Sequence, residues 1–357
     1  MSPALRIIAP GLLTTVQDLG RPGYQQLGIP VSGALDPFSL CAANALVGNE
    51  PGTAALEAAY TGPTFAVEAE SVRLAFVGGS TAIEVLPDET ASAGTLISPM
   101  ESVRLEHGAV VRIGSLRDSA ILYIAVEGGF DLPPVLGSRS TYLRGGFGGW
   151  QGRALTAGDR VPLLRNRATD RDELRLDGVT LSAPERFRVV LGPQHDYFSD
   201  SAIADFLGGT YTVAAGSDRM GMRLEGPPIA HARGYDITSD AIAPGSIQVP
   251  GNGKPIVLLA DRQTTGGYPK LATVISADLP ALGRLPIGAQ VAFRSVSLEE
   301  AVAARRTLLQ QMQNLREKLV PLSLPSPASP AGAGVVAARL LDTNLISGIV
   351  DARSEAA

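Results

Sequence analysis

The sequence predicts a mainly β protein built from two related β-rich units. The 357 residues include 40 Gly and 26 Pro, which punctuate many short elements. Short apolar runs recur between turn residues across 54–126, as in a barrel or sandwich. Three local likenesses also repeat in the same order: residues 108–113 with 245–249, 121–130 with 256–268, and 152–158 with 283–288. One such likeness is noise; three in order suggest two copies of one domain.

Residues 5–8 read as an opening strand ended by Pro10-Gly11. Asp36-Pro37 reads as a helix start, because Asp accepts from free N–H groups and Pro suits the first helical position. The helix runs to about Val47 and stops at Gly48-Asn49. It carries Asn44, read either as an exposed helix amide or as a functional one. It also carries Cys41, the sole cysteine, read as a small buried hydrophobe. A single cysteine excludes an intrachain disulfide and favours a reducing compartment. Strands follow over 56–60, 64–67, 72–77, 82–86, 110–113 and the fully apolar 121–126, then a flexible Gly-rich stretch at 145–150. Dense charge at 170–175 marks a boundary, giving domains at 1–178 and 179–320. Ser297-Leu298-Glu299-Glu300 is a capping box opening a helix to about Leu319. Along it Leu298, Val302, Leu308, Leu309, Met312, Leu315 and Leu319 recur at helical spacing and read as a packed face. Residues 321–357 open on a Pro/Ser/Ala tract with little to bury and read as a disordered tail, with a weak element at 340–350.

A net charge of −5 argues against nucleic-acid binding. The start of the chain lacks a signal-peptide pattern, and no apolar run is long enough to span a bilayer, so the expectation is a cytoplasmic protein without membrane contact. Gly253-Lys254 does not complete a phosphate-binding loop, because Gln248 and Pro255 stand where Gly and Ser/Thr are needed. His107, His195 and His231 lack metal-ligand spacing, so no metal is expected. A Gly-x-Ser-x-Gly elbow and a Met-Lys-Met biotin site are both absent from the sequence.

The densest polar stretch is 260–270, ADRQTTGGYPK, between two apolar runs. It is read as the centre of a binding or catalytic surface, since a tight hairpin needs fewer polar side chains. Its counterpart at 125–130 lacks this polar cargo, so the second unit carries the elaborated copy. Without a self-sufficient catalytic centre, the pattern fits a subunit that completes a shared site or a pure binding module.

Several motifs together resemble one family: residues 14–24, 32–37, Ala43-Asn44 with Gly48-Asn49, 137–141, 217–224, 247–250 and 260–270. These are similar to the allophanate hydrolase subunit 2 family, which includes the C-type subunits of 5-oxoprolinase and is also labelled biotin-dependent carboxyltransferase. The resemblance covers about residues 5–298. It implies two cyclophilin-like β-barrel domains in tandem, with a C-terminal helix and tail outside them. Three activities attach to the family: ATP-dependent hydrolysis of 5-oxo-L-proline to L-glutamate within a three-component enzyme, biotin-dependent carboxylation of urea, and non-catalytic binding of a kinase inhibitor. The first is the favoured expectation. It implies ATP used by the complex, no covalent biotin, a partner like allophanate hydrolase subunit 1 (the B-type subunit of 5-oxoprolinase), and a third 5-oxoprolinase component. The chain is expected to be inactive alone.

The resemblance selects the site residues, and chemistry suggests their jobs. Asp18 and Asp261 are candidates for general base, with Lys270 a third catalytic candidate. Arg219, Arg223, Arg262 and Lys270 are candidates to neutralise phosphate or an oxyanion; for Arg219 and Arg223 a structural salt bridge is an equal reading. Gln17, Gln263, Thr264 and Thr265 are candidates for orientation. Arg21, Ser138, Ser140, Thr141, Gln248 and Tyr268 complete the expected binding set, with packing an equal reading for Tyr268. Residues 282–290 depart from the family pattern, with Arg284 at an expected amide and Ala289 or Gln290 at an expected Asp.

Overall fold

The computed structural model describes residues 2–322; the expected tail lies outside them from residue 323 on. The first half is two packed sheets. A six-stranded sheet has the order Arg160–Pro162, Ala4–Ala9, Thr64–Glu68, Val110–Ile113, Ile83–Leu86, Thr95–Ile97. A five-stranded sheet has the order Leu13–Gln17, Ala55–Ala59, Ile121–Val126, Ser71–Gly78, Ser102–Glu106. Leu5, Ile7, Leu56, Phe65, Phe76, Val111 and Ile124 fill the space between them.

Helix α1 (Pro37–Leu46) covers the outer face of the five-stranded sheet. Asp36 caps it by accepting from Ser39 N at 3.1 Å. Leu40, Ala43 and Leu46 pack on Ala75, Val77, Tyr123 and Ala125. Strand Ile121–Val126 is therefore buried on both faces, which is why it reads as a continuous apolar run. Cys41 is buried in the same cluster as expected, and burial with Asp36 nearby pushes its thiol up to about 12. Asn44 is neither exposed nor turned to a ligand. Its amide donates to Thr53 O at 2.7 Å and accepts from Asn49 at 3.0 Å, closing the turn after the helix.

The second half is a closed barrel of seven strands: Phe187–Leu191, Lys270–Val274, Ser246–Gln248, Ile256–Leu258, Gly221–Glu225, Thr210–Val213 and Gln290–Ser295. Closure joins Phe187–Leu191 to Gln290–Ser295 in parallel, leaving no free edge. Helix α2 (Asp200–Gly208), capped by Ser199, sets Phe206 against Phe293 with ring centroids 4.9 Å apart. Helix α3 (Leu279–Gly283) faces α1 across the joint. The mainly β expectation holds. The internal likenesses, however, do not mark equivalent strands. Val110–Ile113 and Ile121–Val126 lie in different sheets, whereas Ser246–Gln248 and Ile256–Leu258 are neighbours.

The charge-dense stretch at 170–175 is anchored at Arg171 and Glu173, while Asp170 and Asp172 are exposed. Buried Arg73 donates to Glu127 at 2.6 Å, to Glu173 at 3.0 Å and to Arg171 O at 2.9 Å. Helix α4 (Leu298–Gln313) gives way to a 3-10 turn, Asn314–Lys318, and a short strand, Leu319–Pro321, so the helix ends before Leu319. That strand pairs with Leu174–Leu176, and Leu315 joins the cluster around α1. We propose residue 178 as a boundary along the chain and not in space, because the end of the described chain returns to the first half. The apolar stripe of α4 splits accordingly. Leu315 is buried, while Leu298, Val302 and Leu309 are exposed. Among the described residues, no helix is long and apolar enough to cross a membrane.

The two halves meet at a buried ionic joint. Arg219, from the barrel, donates to Asp261 Oδ2 at 2.8 Å, to Gly33 O at 2.6 Å and to Glu57 Oε1. Glu57 Oε2 also accepts from Tyr123 Oη at 2.5 Å and Leu35 N at 2.9 Å. Burial alone lowers the Arg219 guanidinium, but Glu57 and Asp261 hold it above its ordinary value. A second pair, Arg284 with Asp36 at 2.5 Å, ties α3 to the cap of α1. Arg284, at the departure from the family pattern, is thus part of this joint.

Removing one member of a buried ion set strands the others. Arg219→Met is expected to lower stability by about 3–5 kcal/mol, read as a fall in the urea midpoint; a loss under ~1 kcal/mol would show that Glu57 and Asp261 can rehydrate. Cys41 is expected to resist a thiol reagent at pH 8 in the native protein and to react fully in about 6 M guanidinium, because its raised pKa and burial leave almost no accessible thiolate; rapid native labelling would contradict the packing of α1.

Candidate functional site

Residues 260–270 leave the strand Ile256–Leu258 and enter Lys270–Val274, pairing on the way through Thr265–Gly266 with Asp240–Ala241. Their polar side chains separate into several environments. Asp261 points into the joint and pairs with Arg219, as described. Arg262 is buried and donates to Ile242 O and Leu259 O, both at 3.2 Å, and to Gln25 Oε1 at 3.4 Å. Burial lowers its guanidinium to about 10, against the pull of Asp261. Gln25 in turn donates to Ile242 O at 2.9 Å and Thr264 O at 3.4 Å, so Arg262 and the Thr264 backbone secure a turn of the first half. Lys270 is buried, and its ammonium donates to the half-exposed Asp240 at 2.9 Å. Thr265 is exposed on the short ribbon.

Gln263 and Tyr268 take another direction. They line a cleft of about 650 Å³ together with Arg144, Asp218, Arg223, Gln248 and Lys254. Buried Gln248 organises its floor, donating to Tyr268 O at 3.4 Å and accepting from Gln263 Nε2 at 3.3 Å. Tyr268 is substantially exposed and lines the cleft. Lys254 is paired with Glu225 at 2.5 Å. Asp218 Oδ1 accepts from Met220 N at 2.8 Å and Gly221 N at 3.2 Å. Arg223 donates through Nε to Gly216 O at 3.2 Å and has no carboxylate partner among the described residues. The cleft thus offers amides, an aromatic side chain and guanidinium charge, with Glu225 paired to Lys254 and Asp218 hydrogen-bonded through one oxygen. It can bind and orient a polar anionic molecule. A smaller cavity of about 240 Å³ opens over the joint, lined by Leu12, Leu35, Tyr60, Met222 and Leu285 above the Glu57–Arg219 pair.

The other expected residues form a separate cluster in the first half. Asp18 is filled by donors: Ser138 Oγ at 2.6 Å, Ser140 Oγ at 2.5 Å and Gly20 N at 2.7 Å on Oδ1, and Arg139 N at 2.6 Å on Oδ2. Four accepted hydrogen bonds fit a structural role for Asp18 better than that of a general base. The pairing of Asp261 with Arg219 weighs the same way. Lys270 does not line the cleft, so its reading as a catalytic group in common with Asp18 and Asp261 is not supported by proximity. Arg21 is buried; it donates to Ser140 O and lies over the Phe147 ring, 5.0 Å from its centroid. Burial lowers the Arg21 guanidinium, opposed by Asp18 and Asp261. Gln17 is also buried, donating to Thr15 Oγ1 at 3.0 Å and Thr141 O at 3.2 Å. Thr141 Oγ1 donates to Val16 O at 3.1 Å. Of the expected binding set, the cleft therefore gathers Arg223, Gln248, Gln263 and Tyr268, and leaves Gln17, Arg21, Ser138, Ser140, Thr141, Arg219, Arg262, Thr264 and Thr265 outside its lining. Arg144 and Lys254 are cleft residues that the sequence reading missed. Lys254 stood in a rejected motif and Arg144 beside a Gly-rich stretch, so neither carried a local signal.

The family model described as carboxyltransferase domain, subdomain A and B, matches residues 27–295. The chain is similar to the C-type subunit of 5-oxoprolinase from Escherichia coli (strain K12), with 38% identity over 316 residues covering 88% of this chain and 98% of that one. It is 34% identical over 292 residues to the corresponding 5-oxoprolinase subunit from Haemophilus influenzae, covering 82% of this chain and 91% of that one. Among solved structures, the K. lactis urea amidolyase superposes with a TM-score of 0.81 at 28% identity, covering 90% of this chain and 21% of that one. The chain thus spans about a fifth of that enzyme.

The split of the loop separates folding from binding. Asp261→Ala is expected to destabilise the protein by roughly 3 kcal/mol. Gln263→Ala is expected to change stability by less than about 0.5 kcal/mol, and to weaken whatever ligand the cleft takes. Thermal unfolding of both variants checks this; equal stability losses would return Asp261 and Gln263 to one site.

Proposed function

Because the chain belongs to the carboxyltransferase family of subdomains A and B, we propose that it is the C-type subunit of an ATP-dependent 5-oxoprolinase. The observation that carries this reading is 38% identity along 98% of the E. coli relative. The partners we propose are a protein like allophanate hydrolase subunit 1, acting as the B-type subunit, and a third component. The complex would act in the cytoplasm, where ATP is supplied.

The reaction opens a resonance-stabilised lactam. Phosphoryl transfer from ATP to the lactam oxygen activates the carbonyl carbon, water attacks it, and the C–N bond breaks to give glutamate, ADP and phosphate. ATP is here a consumed substrate. In this chain Gln248 and Gln263 supply amide donors and acceptors suited to a lactam, Tyr268 supplies a ring face, and Arg223 supplies charge. The chain is expected to give no turnover alone, because the relatives it resembles are named as subunits of a larger enzyme.

The likeness to urea amidolyase favours a second reading, carboxyl transfer to an amide nitrogen from a biotin carrier. Mixing the purified chain with its two partners separates the readings. ATP-dependent glutamate release from 5-oxo-L-proline, lost when any one component is omitted, is the expected outcome. Carboxylation of urea from a carboxybiotin carrier, with no glutamate release, would replace the proposal with the second reading.

A further inference from the structure

The cleft is lined by side chains of the barrel, with one exception. Arg144 is the lining residue that comes from the first half. Its guanidinium makes no ion pair or side-chain hydrogen bond among the described residues, although it sits on a well-fixed arm. Tyr142 N donates to Phe147 O at 2.9 Å and Gly146 N to Tyr142 O at 3.0 Å, closing a tight turn with Arg144 at its tip. Gly149 N donates to Arg139 O at 2.9 Å, and Thr141 N to Val16 O at 2.9 Å, fixing the two ends of the arm. At Gly148, φ is +75° and a Cβ would lie 2.1 Å from Ser140 O, so the return path needs glycine. The Asp18 cluster is the base of this arm, through Ser138, Arg139 N and Ser140, and Arg21 holds it through Ser140 O and the Phe147 ring.

The remaining cleft charges leave Arg144 available. Lys254 is paired with Glu225, and Asp218 Oδ1 accepts from two backbone N–H groups. Among the described residues, Arg144 and Arg223 are left as guanidinium groups without carboxylate partners, lining the same cleft as the amides of Gln248 and Gln263. A planar guanidinium matches a carboxylate in a bidentate fork, and the amides match a lactam. The geometry points to Arg144 as the residue that recognises the carboxylate of the lactam substrate, with Asp18 and Arg21 as positioning residues that set its arm. This rests on the 5-oxoprolinase reading and deepens it: one half of the chain builds the cleft, and the other supplies the group that selects what enters.

The test uses the assembled three-component complex. Arg144→Gln is expected to raise KM for 5-oxo-L-proline by about 10- to 100-fold with kcat within about twofold, because a charged hydrogen-bond pair made in ground and transition state alike is lost. Arg144→Lys should recover part of the loss. KM for ATP should not move. Inhibition by 2-pyrrolidinone, which lacks the carboxylate, should be the same for both proteins. Asp18→Asn should raise KM in the same sense and add nothing further in an Arg144→Gln background, an outcome general destabilisation does not produce. An unchanged KM for 5-oxo-L-proline in Arg144→Gln overturns the assignment, and a shift confined to KM for ATP overturns it in favour of phosphate recognition. Absence of turnover in the unmodified complex overturns the functional reading instead. Calorimetric titration of that complex with 5-oxo-L-proline then decides the assignment: binding lost in Arg144→Gln supports it, and absent or equal binding overturns it.

Discussion

Arg219 is the constraint on which the two halves depend. It carries its charge from the barrel into the first half and satisfies it on Glu57, Asp261 and Gly33 O. Desolvating three charges is costly, and the cost is recovered only with this geometry intact. Two of these partners are also held from elsewhere, Glu57 by Tyr123 and Leu35 N, and the backbone at Gly33 by its approach to Gly20, where a Cβ on Gly33 would lie 2.7 Å from Gly20 N. The joint thereby fixes the turn after Asp18 relative to the barrel loop at 260–270. An arm from one half can reach a cleft in the other only if that relation is fixed.

The same logic explains why so many polar residues of the matching motifs lie away from the cleft. Asp18, Ser138, Ser140 and Thr141 spend their hydrogen-bonding capacity on one another and on backbone groups. Arg262 and Gln25 do the same between the barrel loop and the first half. In a protein of short strands and long connections, loop backbone groups have few ladder partners, and buried side chains supply them. A polar motif can therefore act on a site at a distance, by fixing the path of the chain that reaches it.

Local elements were legible where one signal sufficed. The capped start of α1, the strand run at 64–67 and the doubly buried run at 121–126 are written in short windows. The end of α4 was not, because Leu315 keeps helical spacing yet seats on the first half, and Leu319 leaves the helix to pair with Leu176. Nor was closure of the barrel, which pairs Phe187 with Phe293 from over a hundred residues away. The candidate site was legible as a region. Gln263 and Tyr268 line the cleft, but their neighbours Asp261 and Arg262 do not, since successive residues of an extended loop point to different surroundings.

By itself the sequence determined the mainly β composition, the strand runs of the first half, the capped helix and the polar loop at 260–270, all of which rest on residues close in the chain. The tertiary structure alone decided which polar groups are spent internally and which remain free. Asp18 and Asp261 look as available in sequence as Arg223 and Gln263, and only packing shows that donors surround the first two while the others line a cleft. Arg144 makes the same point in reverse: an arginine beside a glycine run has no local mark of function, and its place in the cleft follows from a turn held by Asp18, more than a hundred residues earlier.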